Sequence, residues 1–471
     1  MKRKLILLPV IITFFLLYGC TLAPKYTRPV SPVPTQWPTG PAYQKNISGV
    51  PAQTAPDLPW QKFITDKNLQ KIIESALKNN RDLRITALNV ERARAYYGIS
   101  RAELLPSVNA TGSIYKERVP GDLSSTGSAM TTEKYSVNLG IISWEIDFFG
   151  RIRSLKDKAL EQYLATQEAH RGAQVSLISA VAQAYLMLSA DKENLDMVTY
   201  TLETQDASYK LIRKRYDAGM TSELDVKRAQ SQVDIARGDV ARYKQLTAQD
   251  ENFLNLLAGS IIPQELLPKD LISVGIPKDI SPGLSSDVLL LRPDILAAEH
   301  QLKASNANIG AARAAFFPRI ALTTTAGTAS AELSGLFKGG QGTWSFAPQI
   351  IMPVFDARTW SAYDVTKAEK EISIAQYEKA IQTAFREVAD ALVEKEMVDQ
   401  RLSAQQSLVD AIAETYRLAN ARYNKGIDSY LSVLDAQRSL YGAKQGLTML
   451  RLAKINNQII LYKTLGGGKE N

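Results

Sequence analysis

Apolar positions recur at helical spacing along two proline-free stretches, from Phe149 to Gly259 and from Val354 to the end of the chain. Each stretch is broken once, the first by Arg215-Tyr216-Asp217-Ala218-Gly219 and the second by Arg422-Tyr423-Asn424-Lys425-Gly426. The pattern predicts two long antiparallel helices per stretch, joined at a glycine that caps the first of them. At ~1.5 Å per residue, the roughly 60 residues from Arg153 to Tyr216 span on the order of 90 Å, more than an ordinary globular domain needs. In the second helix of each pair, Val226, Ala229, Val233, Ala236, Val240 and Tyr243, and again Val433, Ala436, Leu440, Ala443, Leu447 and Leu450, alternate steps of three and four residues. That is a coiled-coil seam, and long helices with seams on more than one side assemble with neighbours into a bundle or a hollow tube.

A second period appears ahead of each helical stretch. Ser107 to Tyr115 alternates, with Val108, Ala110, Gly112 and Ile114 on one face and Asn109, Thr111, Ser113 and Tyr115 on the other. After a polar Gly/Ser loop, Tyr135 to Phe148 resumes strand character and carries Trp144; Arg319 to Thr328 and Thr343 to Phe355 follow the same plan, the latter interrupted by Pro348 and Pro353. Four strands of roughly ten residues match the length of transmembrane β-strands. Four strands do not close a barrel, and open edges do not survive in lipid, so strands in a membrane would require several chains to share one barrel. A small soluble β-sandwich capping a helical body is the competing reading.

The two halves are copies. Arg81–Val108 lies over Pro293–Ile320, pairing Asp82 with Asp294, Arg101 with Arg313 and Pro106 with Pro318. Further along, Val181 meets Val388, Arg215-Tyr216 meets Arg422-Tyr423, Gly219 meets Gly426, Ala229-Gln230 meets Ala436-Gln437 and Gly259 meets Gly466. The spacing between copies shortens by a few residues between these two blocks, and the difference falls between Pro318 and Phe355, where a hairpin loop is expected. Such a long period is a duplication rather than a short-repeat solenoid. The first helix of copy one is expected at about Asp66 to Leu104, ending before Pro106.

The N-terminus carries an address. Three cations, an apolar run from Leu5 to Tyr18 and the close Leu17-Tyr18-Gly19-Cys20 form a signal peptide that ends at a lipobox. The only cysteine of the protein, Cys20, is then the acylated first residue of the mature chain, and multiple acyl chains anchor it stably. Close to half of the 20 prolines lie between Pro24 and Pro59, a segment without a period that is expected to run extended from the anchor to the body. The expected division is signal peptide 1–19, lipidated extended segment 20–60, first repeat 61–262, linker 263–286 and second repeat 287–471, each repeat being a helix, two strands and a long helical hairpin.

Composition excludes several functions. The formal charge of +8 falls to +5 without Lys2, Arg3 and Lys4, and the remaining basic residues are interspersed with acids, so nucleic-acid binding is not expected. The two histidines, His170 and His300, are far apart in sequence, the single cysteine forms no intrachain disulfide, and no metal site or cofactor is expected. No nucleophile with base and oxyanion donors and no phosphate loop is present, so the chain does not read as an enzyme.

Several motifs then carry a resemblance. Leu291-Arg292-Pro293-Asp294-Ile295, Ala298-Glu299-His300 and Asn308-Ile309-Gly310-Ala311-Ala312-Arg313-Ala314-Ala315-Phe316-Phe317-Pro318 resemble the central signature of TolC-type outer-membrane efflux factors. So do Asn80-Arg81-Asp82-Leu83-Arg84, Asp147-Phe148-Phe149-Gly150-Arg151 and Leu434-Asp435-Ala436-Gln437-Arg438-Ser439-Leu440, and the likeness is to the lipoprotein branch that serves tripartite multidrug and metal pumps. The resemblance implies a mainly α protein with a transmembrane β part: a homotrimer with a twelve-stranded outer-membrane β-barrel continuous with a long periplasmic α-helical barrel. It implies a passive channel that receives drugs or other small toxic compounds from a periplasmic adaptor protein and an inner-membrane transporter of the resistance-nodulation-division type. Type I protein secretion and heavy-metal efflux are alternatives within that class; a structural coiled-coil lipoprotein of the envelope is the alternative outside it.

By the same resemblance, Leu431, Asp435 and Arg438 match a periplasmic gate made of a leucine ring and a charged ring. Their i, i+4, i+7 spacing places all three on one helix face. The first copy has Leu224, Arg228 and Ser231 there, so the two turns should differ. The candidate adaptor contacts are Arg215, Gly219, Thr221 and Ser222 in the first turn and Arg422, Gly426 and Ser429 in the second.

Overall fold

The structure is a computed structural model that describes residues 21–43, 55–275, 277, 279–280 and 285–467. The signal peptide and Cys20 lie outside the described residues. After a single helical turn at Trp60–Phe63 come α1 (Lys67–Asn79), α2 (Arg81–Ala102), β1 (Val108–Val119), β2 (Met130–Ile146), α3 (Arg151–Asp217) and α4 (Glu223–Ala258). The second copy contributes α5 (Pro293–Ala314), β3 (Arg319–Ser330), β4 (Gly342–Ile351), α6 (Ala357–Asn424) and α7 (Tyr430–Thr464). Two helices of 67 and 68 residues, α3 and α6, confirm the long helical reading. Both end in the expected cap: Gly219 and Gly426 take φ of 73° and 71°, a conformation that side chains with a Cβ resist.

Two expectations need correction. The first helix of copy one is not continuous: Asn80 is extended (φ −62°, ψ 130°), accepts from Leu83 N at 2.9 Å and donates to Leu257 O at 3.0 Å, so one residue ends α1 and caps α2. Pro348 does not interrupt its strand. Ala329 N bonds Gln341 O, so by alternation β4 residues of odd number face β3 and Pro348, opposite Leu322, turns its missing N–H to the free edge. Pro353 does end the strand region, since β4 stops at Ile351. The few residues that copy two lacks do fall between Pro318 and Phe355, in the return strand: β2 has 17 residues and β4 has 10.

The described chain divides into two compact units, each drawing on both copies. One takes in the chain up to Val30, Asn89–Gln167 and Ala297–Tyr377; the other holds Ser31–Leu88, Glu168–Leu296 and Glu378 onward. In the first unit the strands form one antiparallel sheet in the order β1-β2-β3-β4. The extended N-terminal segment is strapped to α5: Asn306 donates to Pro24 O (2.7 Å), Arg313 to Leu22 O (3.3 Å), and Tyr26 and Arg28 both donate to Glu299. Glu299 is buried; that alone would raise its pKa, but Arg28 and Lys303 hold the carboxylate below its ordinary range. Any Cβ on Gly310 would overlap Ala23 and Ser154, so the glycine of that motif admits the strap.

The second unit has the larger apolar core, with Ile72, Ile73, Ala76, Val181, Ala182, Leu186 and Leu188 buried. Phe63 stacks on Tyr462 at 4.1 Å, and the Tyr462 hydroxyl donates to Leu58 O at 2.6 Å. Arg292, 8% exposed, joins three segments through Asp294, Glu387 and Thr464 O, all within 2.7–3.0 Å. Full pairing of a buried guanidinium in this way makes it a fastener rather than a liability.

Candidate functional site

The register of the sheet sorts its residues by chemistry. Val108 pairs with Ile141, Ile141 with Thr324, and Thr324 with Phe346; one step along, Ala110, Leu139, Ala326 and Trp344 form the next row. The opposite face carries Asn109, Thr111 and Ser113 of β1, Ser136 and Asn138 of β2, and Thr343 and Ser345 of β4, with Ser113–Ser136 and Thr325–Ser345 hydroxyl bonds of 2.7 Å. Strict alternation in β2 would turn Trp144 and Ile146 to the polar face. A register shift between Ile141 and Trp144 restores them to the apolar one, opposite Leu322 and Ile320. The Ile141-Ile142 doublet ahead of Ser143 is the sequence signal of that bulge, and alternation alone misses it.

Among the described residues nothing covers the apolar face. Val108, Leu139, Trp344, Phe346 and Ile350 are 58–81% exposed, and among the described residues the outer edges of β1 and β4 have no strand beside them. An apolar face of this extent does not sit in water, and unpaired edges do not sit in lipid. At one end it stops at the Lys116–Glu133 ion pair (2.7 Å). At the other lie aromatic contacts, Phe149 on Phe317 (4.8 Å) and Phe316 against Trp360 (4.7 Å). There Asp147 accepts from Ile152 N and Arg153 N and pairs with the Arg153 side chain, while Arg151 forks onto Glu145, so this motif is a capped entry to α3.

Within the second unit the two turns pack together. Ile212, Val226 and Ala229 of the first hairpin form one buried cluster with Tyr430, Val433 and Leu434 of the second. Most of the predicted contact residues are engaged inside the chain. Arg215 stacks over the Tyr423 ring (5.2 Å), Arg422 forks onto Asp428, and Thr221 and Ser222 donate to Asp225 Oδ2 (2.9 and 2.8 Å). Burial would raise the Asp225 pKa, but these hydroxyls outweigh it and lower it. Ser429 makes no side-chain cap bond. The exposed apolar residues after the capping glycines, Met220 and Ile427 (71% and 59% exposed), occupy equivalent places and are the tip residues that motif reasoning missed.

The predicted gate residues lie near the start of α7. Leu431 is half-exposed in the isolated chain, and Arg438 Nη2 donates to Asp435 Oδ1 at 2.9 Å, both side chains being exposed. The structure thus brings the charged pair together one turn beyond the leucine. In copy one, Leu224 is exposed, Arg228 approaches Asp225 only to 3.9 Å, and Ser231 bonds back to Arg228 O. The histidines stand apart: His170 Nδ1 bonds Thr86 and His300 Nδ1 bonds Glu161. Among the described residues no cluster of His, Cys, Asp and Glu has metal-site geometry.

Comparison with known proteins agrees in all its parts. The model of the outer membrane efflux protein family matches residues 72–260 and 284–467. The probable efflux pump outer membrane protein TtgC of Pseudomonas putida is 47% identical over 98% of this chain and 95% of its own length. The outer membrane protein OprJ of Pseudomonas aeruginosa is 41% identical over 96% of this chain and 93% of its own length. The solved open state of the Neisseria gonorrhoeae MtrE outer membrane channel superposes with a TM-score of 0.85 at 36% identity, covering 95% of this chain and 98% of that one.

Proposed function

Since the chain belongs to the outer membrane efflux protein family, it serves as the outer-membrane channel of an efflux pump, and we propose that three copies close one twelve-stranded barrel from four strands each. One observation carries this reading: a sheet with a continuous apolar face, a hydroxyl-lined opposite face and two free edges. Sharing pairs the β1 edge of one copy with the β4 edge of the next, leaving lipid outside and water within. The seam tolerates one missing donor at Pro348. Non-reducing gels test it. Thr111→Cys combined in turn with Thr343→Cys, Ser345→Cys and Ala347→Cys should give a covalent three-chain band for at least one pair, and monomer throughout would refute the shared seam.

The channel supplies no energy, so it works with a periplasmic adaptor and an inner-membrane transporter, here assigned to the resistance-nodulation-division type. Its cargo is assigned to small organic toxicants; relatives are named for toluene, solvent and antibiotic efflux. The turn tips are the adaptor contact, an assignment supported by exposed Met220 and Ile427. Photo-crosslinkers at Ser222 and Ser429 that never capture an adaptor would refute it. Cys20 carries the lipid: Thr21 Oγ1, one residue on, lies 3.1 Å from Ser154 Oγ near the Phe149 aromatics, which supports anchoring at the membrane edge of the barrel.

The gate is Leu431 with Asp435 and Arg438. Three leucines brought together dewet a pore, while three Asp435 carboxylates repel unless each is held by an Arg438. The observed 2.9 Å pair supports this arrangement.

A further inference from the structure

The contact of the first hairpin with α7 leaves a cavity of about 80 Å³, open on one side and lined by Val198, Gln205, Ile235, Asp239, Arg438 and Tyr441 among others. Its wall holds an unsatisfied group. Gln205 is only 5% exposed, and its Oε1 accepts no hydrogen bond. A buried acceptor left unpaired is costly, so it marks a place where a donor belongs.

The duplication supplies an internal control. The residue of copy two equivalent to Gln205 is Ile412, which packs with Leu402 and Leu440 against buried Val409, Ala443 and Leu447. Packing of such a hairpin therefore does not require an amide at this position. Copy two also places an amide in this interface, Gln405 at the position of Val198, but its Nε2 donates to Ala443 O at 2.8 Å, whereas Gln205 Oε1 of copy one is left unpaired beside a cavity.

The surrounding charges select the donor. Asp239 lines the same cavity as Gln205; it accepts from the Tyr441 hydroxyl at 3.4 Å and pairs with Arg242 at 3.5 Å, and its remaining lone pairs offer a second acceptor. The nearby cations are engaged: Arg242 lies over the Tyr243 ring at 4.5 Å, and Arg438 holds Asp435. An anion entering here meets a carboxylate and a carbonyl oxygen, and the Arg438 guanidinium in the wall has its charge offset by Asp435. A cation meets both as acceptors, and Val198 and Ile235 offer an apolar wall.

We propose that this cavity is a binding site for a small cationic amphiphile, a primary ammonium on an aryl or short alkyl body. The ammonium donates to Gln205 Oε1 and Asp239, and the body lies against Val198 and Ile235. Because Arg438 borders the cavity, an occupant bridges the first hairpin to α7 behind the gate and slows opening. That consequence rests on the gate assignment; the binding does not.

Saturation-transfer NMR on the full-length protein in nanodiscs tests the site, with benzylammonium as probe and toluene and benzoate as comparators. The expected result is saturable benzylammonium binding at about 1 mM or tighter, weakened at least tenfold by Gln205→Ile and by Asp239→Asn. Gln205→Ile installs the residue copy two already uses, and an unchanged thermal midpoint verifies its fold. Equal affinity in wild type and Gln205→Ile, toluene or benzoate binding as tightly as benzylammonium, or no saturable binding because the cavity holds only water, would each overturn the site. Single-channel recordings separate the two claims. Benzylammonium should lower the open probability of wild type and not of Gln205→Ile; binding without any effect on opening keeps the site and overturns its coupling to the gate.

Discussion

The two helical hairpins descend from one plan and end in the same glycine cap, yet they differ in several of the charges they carry. At the turn, copy two sets Arg438 on Asp435 at 2.9 Å, whereas copy one has Arg228 at 3.9 Å from Asp225, an aspartate already held by Thr221 and Ser222. Further along, copy one places Asp191 beside Asp250; at the equivalent positions copy two has Val398 and Asn457, the latter buried and bonded to Ala391 O. Shared geometry with unshared charge implies a division of labour. The glycine caps and seams build both hairpins; on the proposed gate assignment the charges give control to one turn, and the Asp191–Asp250 pair gives pH sensitivity to one hairpin.

Functional substitution at the turns is the strongest way to break this comparison. Asp435→Ala with Arg438→Ala should raise single-channel conductance in planar bilayers several-fold, while Arg228→Ala with Ser231→Ala should leave it near wild type. Equal effects would mean that the turns share control.

A pH series sharpens it next. Burial, together with the charge of Asp191, raises the Asp250 pKa to about 7; Asp191 is itself raised by burial, with Arg242 and Asn194 opposing. A carboxyl whose folded pKa lies above its unfolded value binds more protons folded, so its stabilisation is lost as pH rises from the ordinary carboxylate range to about 7. Asp250→Asn should therefore raise the thermal midpoint more at pH above that range than below it. Identical pH slopes in mutant and wild type would contradict the carboxyl pair.

Backbone substitutions should treat the copies alike. Gly219→Ala and Gly426→Ala each force a Cβ into φ near 70° and should each destabilise by about 1 kcal/mol, read as similar falls in thermal midpoint. The smallest difference lies at the caps. Ser222 Oγ accepts from Asp225 N at 3.2 Å, so Ser222→Ala should cost about 1 kcal/mol, while Ser429→Ala, which removes no side-chain cap bond, should be close to neutral. Denaturation midpoints of the pair would check this.

Periodicity made the long helices, their breaks and the duplication legible, because a seam repeated over many turns and two glycine caps leave little choice. The strands were legible in place, and β1 in facing, but not in extent: β2 begins at Met130 rather than Tyr135, since hairpin pairing with β1 extends the ladder into residues with little apolar signal. Asn80 broke a helix whose apolar period continues through it, because its side chain serves two backbones at once. Asp435 and Arg438 were singled out by the family resemblance, and their i, i+3 spacing fits the contact observed between them. The engagement of Arg215 by Tyr423 and of Arg422 by Asp428 did not, because it depends on how the turns fold on themselves and pack together. The unfilled cavity at Gln205 was equally hidden, since a glutamine in a helical pattern reads as a solvated face until its burial is seen.

The central claim is that the exposed apolar sheet is one third of a shared pore. Single-channel recording of the purified protein, with its native mass measured in the same detergent, tests it most directly. Discrete conductance steps from a three-chain species are the predicted result; a monomer that never conducts would contradict the account.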